Sequence, residues 1–235
     1  VAGGLFAVGV LLLLATVFAL TADFDRPPAH PPARRGLLVA LLAIMPLLEM
    51  GARSVLPPTA WSELAIYLVL AGATLRYARF ARWPVSYLGL HARRLPRALL
   101  AGLIVGTAMV LGAALAVPRG FHAMEPARLL GVSVWSLLVA GTLPEIYYRG
   151  LLHNVLEQYA GGPAAIVVTA YLAVMPRAVP LLFTAPFGAI QWIDVAVTSP
   201  AALLIAGYLY HRTRNLFGSA ALLGLLALLP QILRF

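Results

Sequence analysis

The chain has 235 residues, of which 62% are hydrophobic and 11% charged, and it carries a formal net charge of +9. That balance excludes an ordinary soluble domain and points to an all-α polytopic membrane protein. Cysteine is absent, which excludes a disulfide framework, a thiolate nucleophile and a cysteine-ligated metal.

Apolar runs separated by charged or proline-rich breaks predict about eight spans, at residues 2–22, 37–56, 60–76, 97–117, 128–143, 163–176, 190–210 and 216–230. They form one transmembrane bundle, with N-terminal helices over 1–86 and a core over 87–235. The first segment is uncharged and lacks the basic flank of a cleaved signal, so it reads as a retained helix. The connector Asp23–Gly36 holds Pro27, Pro28, Pro31 and Pro32 and reads as stiff and extended. Glu49 and Arg53 are spaced for an i,i+4 pair near a span end. Glu63, at the start of the third span, suits a helix N-terminus.

All basic residues are arginine. Arg76, Arg79, Arg82, Arg93, Arg94 and Arg97 follow the third span, interleaved with Phe80, Trp83 and Tyr87. Arginine among aromatics suits the lipid headgroup layer, and no nucleic-acid module is legible, so lipid is the expected partner of the charge. The positive-inside rule makes this loop cytoplasmic in a cell (inner) membrane. With eight spans, Arg26, Arg34, Arg35, Arg212 and Arg214 fall on the same side and both termini face outward.

Gly102 and Gly106 give the fourth span a small face for close packing, expected to be internal. His122 and Glu125 fall in an outward loop. The fifth span runs on past Pro144 as a more polar helix to about residue 160. Pro176, Pro180 and Pro186 argue against a regular helix after the sixth span. Asp194, after Trp192, reads as an interfacial cap. His211, Arg212 and Arg214 read as a basic span end, and His30 and His91 as loop residues without a signal.

The most informative string is Leu143-Pro144-Glu145-Ile146-Tyr147-Tyr148-Arg149-Gly150. A carboxylate and a guanidinium at membrane depth persist only when paired or used, and Glu145 sits one turn before Arg149. His153 and Glu157 extend the stripe. Glu145 and His153 are roughly 12 Å apart along a straight helix, too far to share one water. His153 and Glu157 are two ligands, which do not make a metal site. The stripe is expected to face the cytoplasmic interface or a partner, and no metal or cofactor is expected. The echo of Glu49-x-x-x-Arg53 in Glu145-x-x-x-Arg149 leaves a small transporter with an internal repeat open.

Four stretches resemble the CPBP family, the CAAX-protease and bacteriocin-processing intramembrane proteases. They are Tyr87-Leu88-Gly89-Leu90 with the basic run and apolar helix after it, Glu145-x-x-x-Arg149-Gly150-Leu151-Leu152, Tyr171 to Met175, and Gly207 to Phe217. The resemblance covers about residues 87–229 and implies a helical membrane fold. It also implies peptide-bond hydrolysis by a Glu and a His that activate water, with a later His and Asn holding the oxyanion.

At the positions that the resemblance assigns to these groups, the chain has Pro144 for the first Glu, Met175 for the His, and Leu223 and Ala227 for the His and Asn. A register one residue later gives Gly224 and Leu228. Glu145, Arg149 and Gly150 remain. The expectation is a pseudoprotease, a non-catalytic binding or scaffold protein or an auxiliary subunit of a membrane complex. Its ligand would be a lipid, a lipidated peptide or a transmembrane helix in the former active-site cavity. An active endopeptidase with a rearranged site built on Glu145, with His153 or His211 beside it, is the alternative.

Overall fold

The computed structural model describes residues 12–13, 15–19, 21, 36–37, 40–57, 59–92, 94–116, 125–184, 195 and 198–232. Arg26, His30, Arg34, Arg35, Arg93, His122, Pro186, Trp192 and Asp194 lie outside these residues. The described elements are all helical. A wide π turn, Ala40–Ile44, leads into α1 (Met45–Val55), followed by α2 (Ala60–Phe80) and α3 (Leu95–Ala116). An unbroken helical run over 126–160 is α4; then come α5 (Gly162–Thr184), α6 (Ser199–Thr213) and α7 (Leu216–Ile232).

Among the described residues, two stretches are long and apolar enough to cross a membrane, Leu95–Gly112 and Pro126–Pro176, and Leu216–Leu228 is a shorter apolar helix. The second stretch is divided at Gly161, whose φ of 80° breaks the helix between α4 and α5. Leu68, Val69, Leu100, Leu111, Leu130 and Leu138 are exposed on the outer faces of three helices. So much outward-facing leucine and valine is what a water-soluble surface avoids and a lipid-facing one needs.

Local chemistry sets the helix ends. Thr59 Oγ1 accepts from Ser62 N–H at 3.2 Å and Ser62 Oγ accepts from Thr59 N–H at 3.0 Å, a capping box that starts α2. Arg214, in the left-handed region at φ 53°, ends α6, and its N–H returns to Tyr210 O at 2.7 Å. Asn215 then opens α7 by accepting from Phe217 N–H at 3.0 Å.

Around Pro144 the helix widens. Ser136–Thr142 and Ile146–His153 are π-helical, on either side of a single α turn, Leu143–Glu145. Proline lacks a donor and crowds the preceding turn, and wider winding accommodates both. The expectation of irregular backbone after the sixth span is corrected by α5, which runs through Pro176 and Pro180 to Thr184. Prolines are tolerated in apolar helices when neighbours satisfy the freed carbonyls.

Glycines let the helices close on one another. A Cβ on Gly102 would collide with Gly218 O, and one on Gly218 would lie 2.7 Å from Ala98 O, so α3 and α7 touch backbone to backbone. At Gly106 a Cβ would reach Leu225 Cδ1 of α7 at 2.9 Å. On α4, a Cβ at Gly141 would collide with Ala220 O.

Candidate functional site

Three members of the α4 stripe, Glu145, Arg149 and His153, are buried and the fourth, Glu157, is half-buried, which corrects the expectation of a stripe facing the cytoplasmic interface or a partner. Glu145 is 1% exposed, and Arg149, His153 and Asn154 are no more so. The reason is contact with the surrounding helices: α5 and α6 bring polar partners to Arg149, the end of α6 brings them to Asn154, and Glu145 is paired with Arg149.

Glu145 Oε2 stands 3.4 Å from Arg149 Nε. Arg149 spends its other nitrogens elsewhere, donating from Nη1 to Thr169 Oγ1 on α5 and from Nη2 to Leu203 O on α6, the latter at 2.6 Å. Thr169 Oγ1 donates in turn to Ala165 O at 2.7 Å. Gly207 gives the guanidinium room, since a Cβ there would lie 3.4 Å from Arg149 Cζ. Another polar neighbour of Glu145 is Ser219 on α7. Arg149 is therefore a three-helix tie, and Glu145 its sealed counter-charge. Neither His153 nor His211 is a partner of Glu145 among the described residues.

Gly150 faces the turn before α3, where a Cβ would meet Leu88 O at 3.0 Å. The same turn is stitched to the α6–α7 corner. Leu216 N–H donates to Gly89 O at 3.0 Å, Asn215 Nδ2 donates to His91 O at 2.9 Å, and His91 Nε2 is 2.9 Å from Arg214 O. His91, without a signal in the sequence, is thus part of a corner joint. Asn154 completes it from α4, with Nδ2 donating to Tyr210 Oη at 2.8 Å and Oδ1 accepting from Arg214 Nη1 at 3.2 Å. The arginine-rich turn, the end of α4 and the end of α6 therefore meet at one end of the bundle. There Arg76, Arg79, Arg82 and Arg97 are exposed, and Arg94 is half-buried at φ 63°.

A second group gathers at this end. Glu157 Oε1 is 3.0 Å from His211 Nδ1, and Arg214 reaches both Glu157 oxygens at 2.6 Å. His153 lies alongside, its ring 5.4 Å from that of Tyr210 and 6.0 Å from that of His211. One potential ligand atom from each of His153, Glu157 and His211 lies within 4.8 Å of the others. The reading of His211 and Arg214 as a plain basic span end is corrected: they turn inward onto α4. Sequence reasoning found His153 and Glu157 but missed the third donor, which comes from another helix.

The residues placed by resemblance at the lost catalytic positions do not come together as one polar site. Pro144 is buried in the α4 turn. Leu223 packs beside Ala101, Val105, Ile205 and Leu222 in an apolar cluster of α3, α6 and α7. Met175 is 50% exposed, and Ala227 is half-buried.

The other carboxylate pair is a closed network. Arg53 donates to Glu49 at 3.0 Å, to Glu63 at 2.8 Å and to Tyr67 Oη at 2.8 Å, and Tyr148 Oη donates to Glu49 Oε2 at 2.6 Å. It joins α1, α2 and α4.

Residues 126–228 match the family model described as Rce1-like, type II CAAX prenyl endopeptidase Rce1-like. The match runs from α4 into α7, includes Glu145 and Arg149, and covers less than half of the chain. The resemblance read from the motifs therefore holds over this part. No curated protein and no solved structure matches.

Proposed function

We propose that this chain is an integral membrane protein of about eight spans that keeps a CPBP-type core and has lost its hydrolytic chemistry. It acts as a binding or scaffold protein, or as an auxiliary subunit, in a membrane complex. The observation that carries this reading is the sealing of Glu145. A general base must reach the water it deprotonates, yet this carboxylate is 1% exposed and faces Arg149, itself held by α5 and α6. Pro144, Met175, Leu223 and Ala227 supply no base, acid or oxyanion donor at the remaining positions.

The binding role is supported by α5. Val167, Tyr171 and Met175 recur every four residues and are all about half exposed, an apolar stripe suited to a transmembrane helix or an acyl chain. The basic end, with Arg76, Arg79, Arg82 and Arg97, fits the cytoplasmic leaflet of an inner membrane.

The test has two arms. Purified protein is incubated with a prenylated C-terminal peptide, the substrate class in the matched family's name, alongside Glu145→Ala. We expect no cleavage above background in either; cleavage by wild type that Glu145→Ala abolishes sinks the pseudoprotease reading. A photo-crosslinker at Met175 is expected to capture a discrete membrane protein or lipidated peptide, and capture of bulk lipid alone rejects the specific binding surface.

A further inference from the structure

We propose that His153, Glu157 and His211 form a binding site for a divalent transition-metal ion, with Zn²⁺ as the best-fitting ion. Two imidazoles and one carboxylate are a donor set that zinc takes, with water in the fourth position. His153 and Glu157 lie one turn apart on α4 and so share a face, while His211 arrives from the last turn of α6. The donor atoms lie within 4.8 Å of one another, against roughly 3.3 Å in a tetrahedral zinc shell. The Glu157–His211 edge, at 3.0 Å, is already short enough, and an ion would have to draw the His153 imidazole in by a small side-chain adjustment.

Two further observations point to a ligand. His153 is fully buried, and neither ring nitrogen has a hydrogen-bond partner among the described residues. Buried imidazole nitrogens are nearly always satisfied, and a metal ion would satisfy one here. Gly162, just after the break between α4 and α5, clears the space for the His211 ring, which a Cβ at that position would strike.

Arg214 fits as an outer brace. It forks onto Glu157, with Nη2 2.6 Å from Oε1 and 3.5 Å from His211 Nδ1 and Nη1 on Oε2; the ion would displace Nη2 from the Oε1 side and leave Nη1 on Oε2. Ligating carboxylates are commonly oriented in this way. His211 keeps 27% side-chain exposure, which gives the ion and its water a route in. The site is separate from Pro144, Met175, Leu223 and Ala227, and does not depend on those positions being inert.

The test uses the whole chain in mild detergent, stripped with a chelator and dialysed against Zn²⁺. Bound metal is counted by elemental mass spectrometry and its shell read by X-ray absorption. We expect about one zinc per chain with two imidazole nitrogens at about 2.0 Å, lost in His211→Ala and in His153→Phe. Because His153 is buried, its variant can fail to fold; the partly exposed His211 carries the test in that case. No zinc retained by wild type, or zinc retained by folded His211→Ala, overturns the site.

Discussion

Gly162 lies directly under the imidazole of His211, where a Cβ would meet the ring nitrogens at 3.0 and 3.1 Å. The glycine follows Gly161, whose positive φ ends α4, so the chain reverses and clears the ring within two residues. Gly162→Ala is expected to push His211 off Glu157 and to destabilise the protein by about 1–3 kcal/mol, the usual cost of overpacking. Removing the ring should relieve the clash. The double variant Gly162→Ala with His211→Ala should therefore be closer in stability to His211→Ala alone than Gly162→Ala is to wild type. Denaturant unfolding of the four proteins in detergent checks this, and simple additivity would place the clash elsewhere.

Arg149 and Glu145 are expected to be strongly coupled. Breaking a buried pair by removing one partner costs about 3–5 kcal/mol because the other charge is stranded. Arg149→Met should cost at the upper end, since it also leaves Thr169 Oγ1 and Leu203 O without their donor. Adding Glu145→Leu to Arg149→Met should recover part of the loss. A double-mutant cycle measures the coupling, and a value near zero would mean the 3.4 Å contact contributes nothing.

The all-helical class and the places of α2, α3 and α7 were legible in the sequence, for a physical reason: the length of an apolar run sets where a helix lies. Glu145 and Arg149 stood out because charge is rare in such a chain. What escaped was tertiary. Nothing near His211 shows that it turns inward, because the left-handed turn at Arg214 and the space at Gly162 act together across distant segments. His91 looked like a loop residue because its partner, the Arg214 carbonyl, belongs to another corner. Pro176 and Pro180 misled because proline's cost depends on which neighbours satisfy the backbone, which the local sequence does not state.

Glycine substitutions should separate packing from propensity. At Gly102 the clashing atom is backbone, Gly218 O, so α3 and α7 must move apart to admit a methyl group. Gly102→Ala should cost at least about 1–3 kcal/mol. A Cβ at Gly72 on α2 would meet nothing within 4 Å, and Gly72→Ala should stabilise by roughly 0.5–1 kcal/mol through helix propensity alone. Opposite signs in thermal unfolding would support the interface; equal effects would argue against close α3–α7 contact.

The network around Glu49 should rank its members by burial. Tyr148 Oη donates to Glu49 Oε2 at 2.6 Å inside the bundle, and Tyr148→Phe removes that donor while keeping the ring against Tyr147, 4.9 Å away. Losing a hydrogen bond to a buried charged group should cost about 1.5–3 kcal/mol. Glu63 also pairs with Arg53, at 2.8 Å, but its side chain is 39% exposed. Solvent screening there should hold Glu63→Gln to less than about 1 kcal/mol, and Arg53 would keep Glu49 and Tyr67 Oη. Salt should sharpen the contrast: raising ionic strength should erase the Glu63 contribution and leave that of Tyr148 in place. If both variants lose stability equally and with the same salt dependence, the joint between α1 and α4 is wetter than its burial implies.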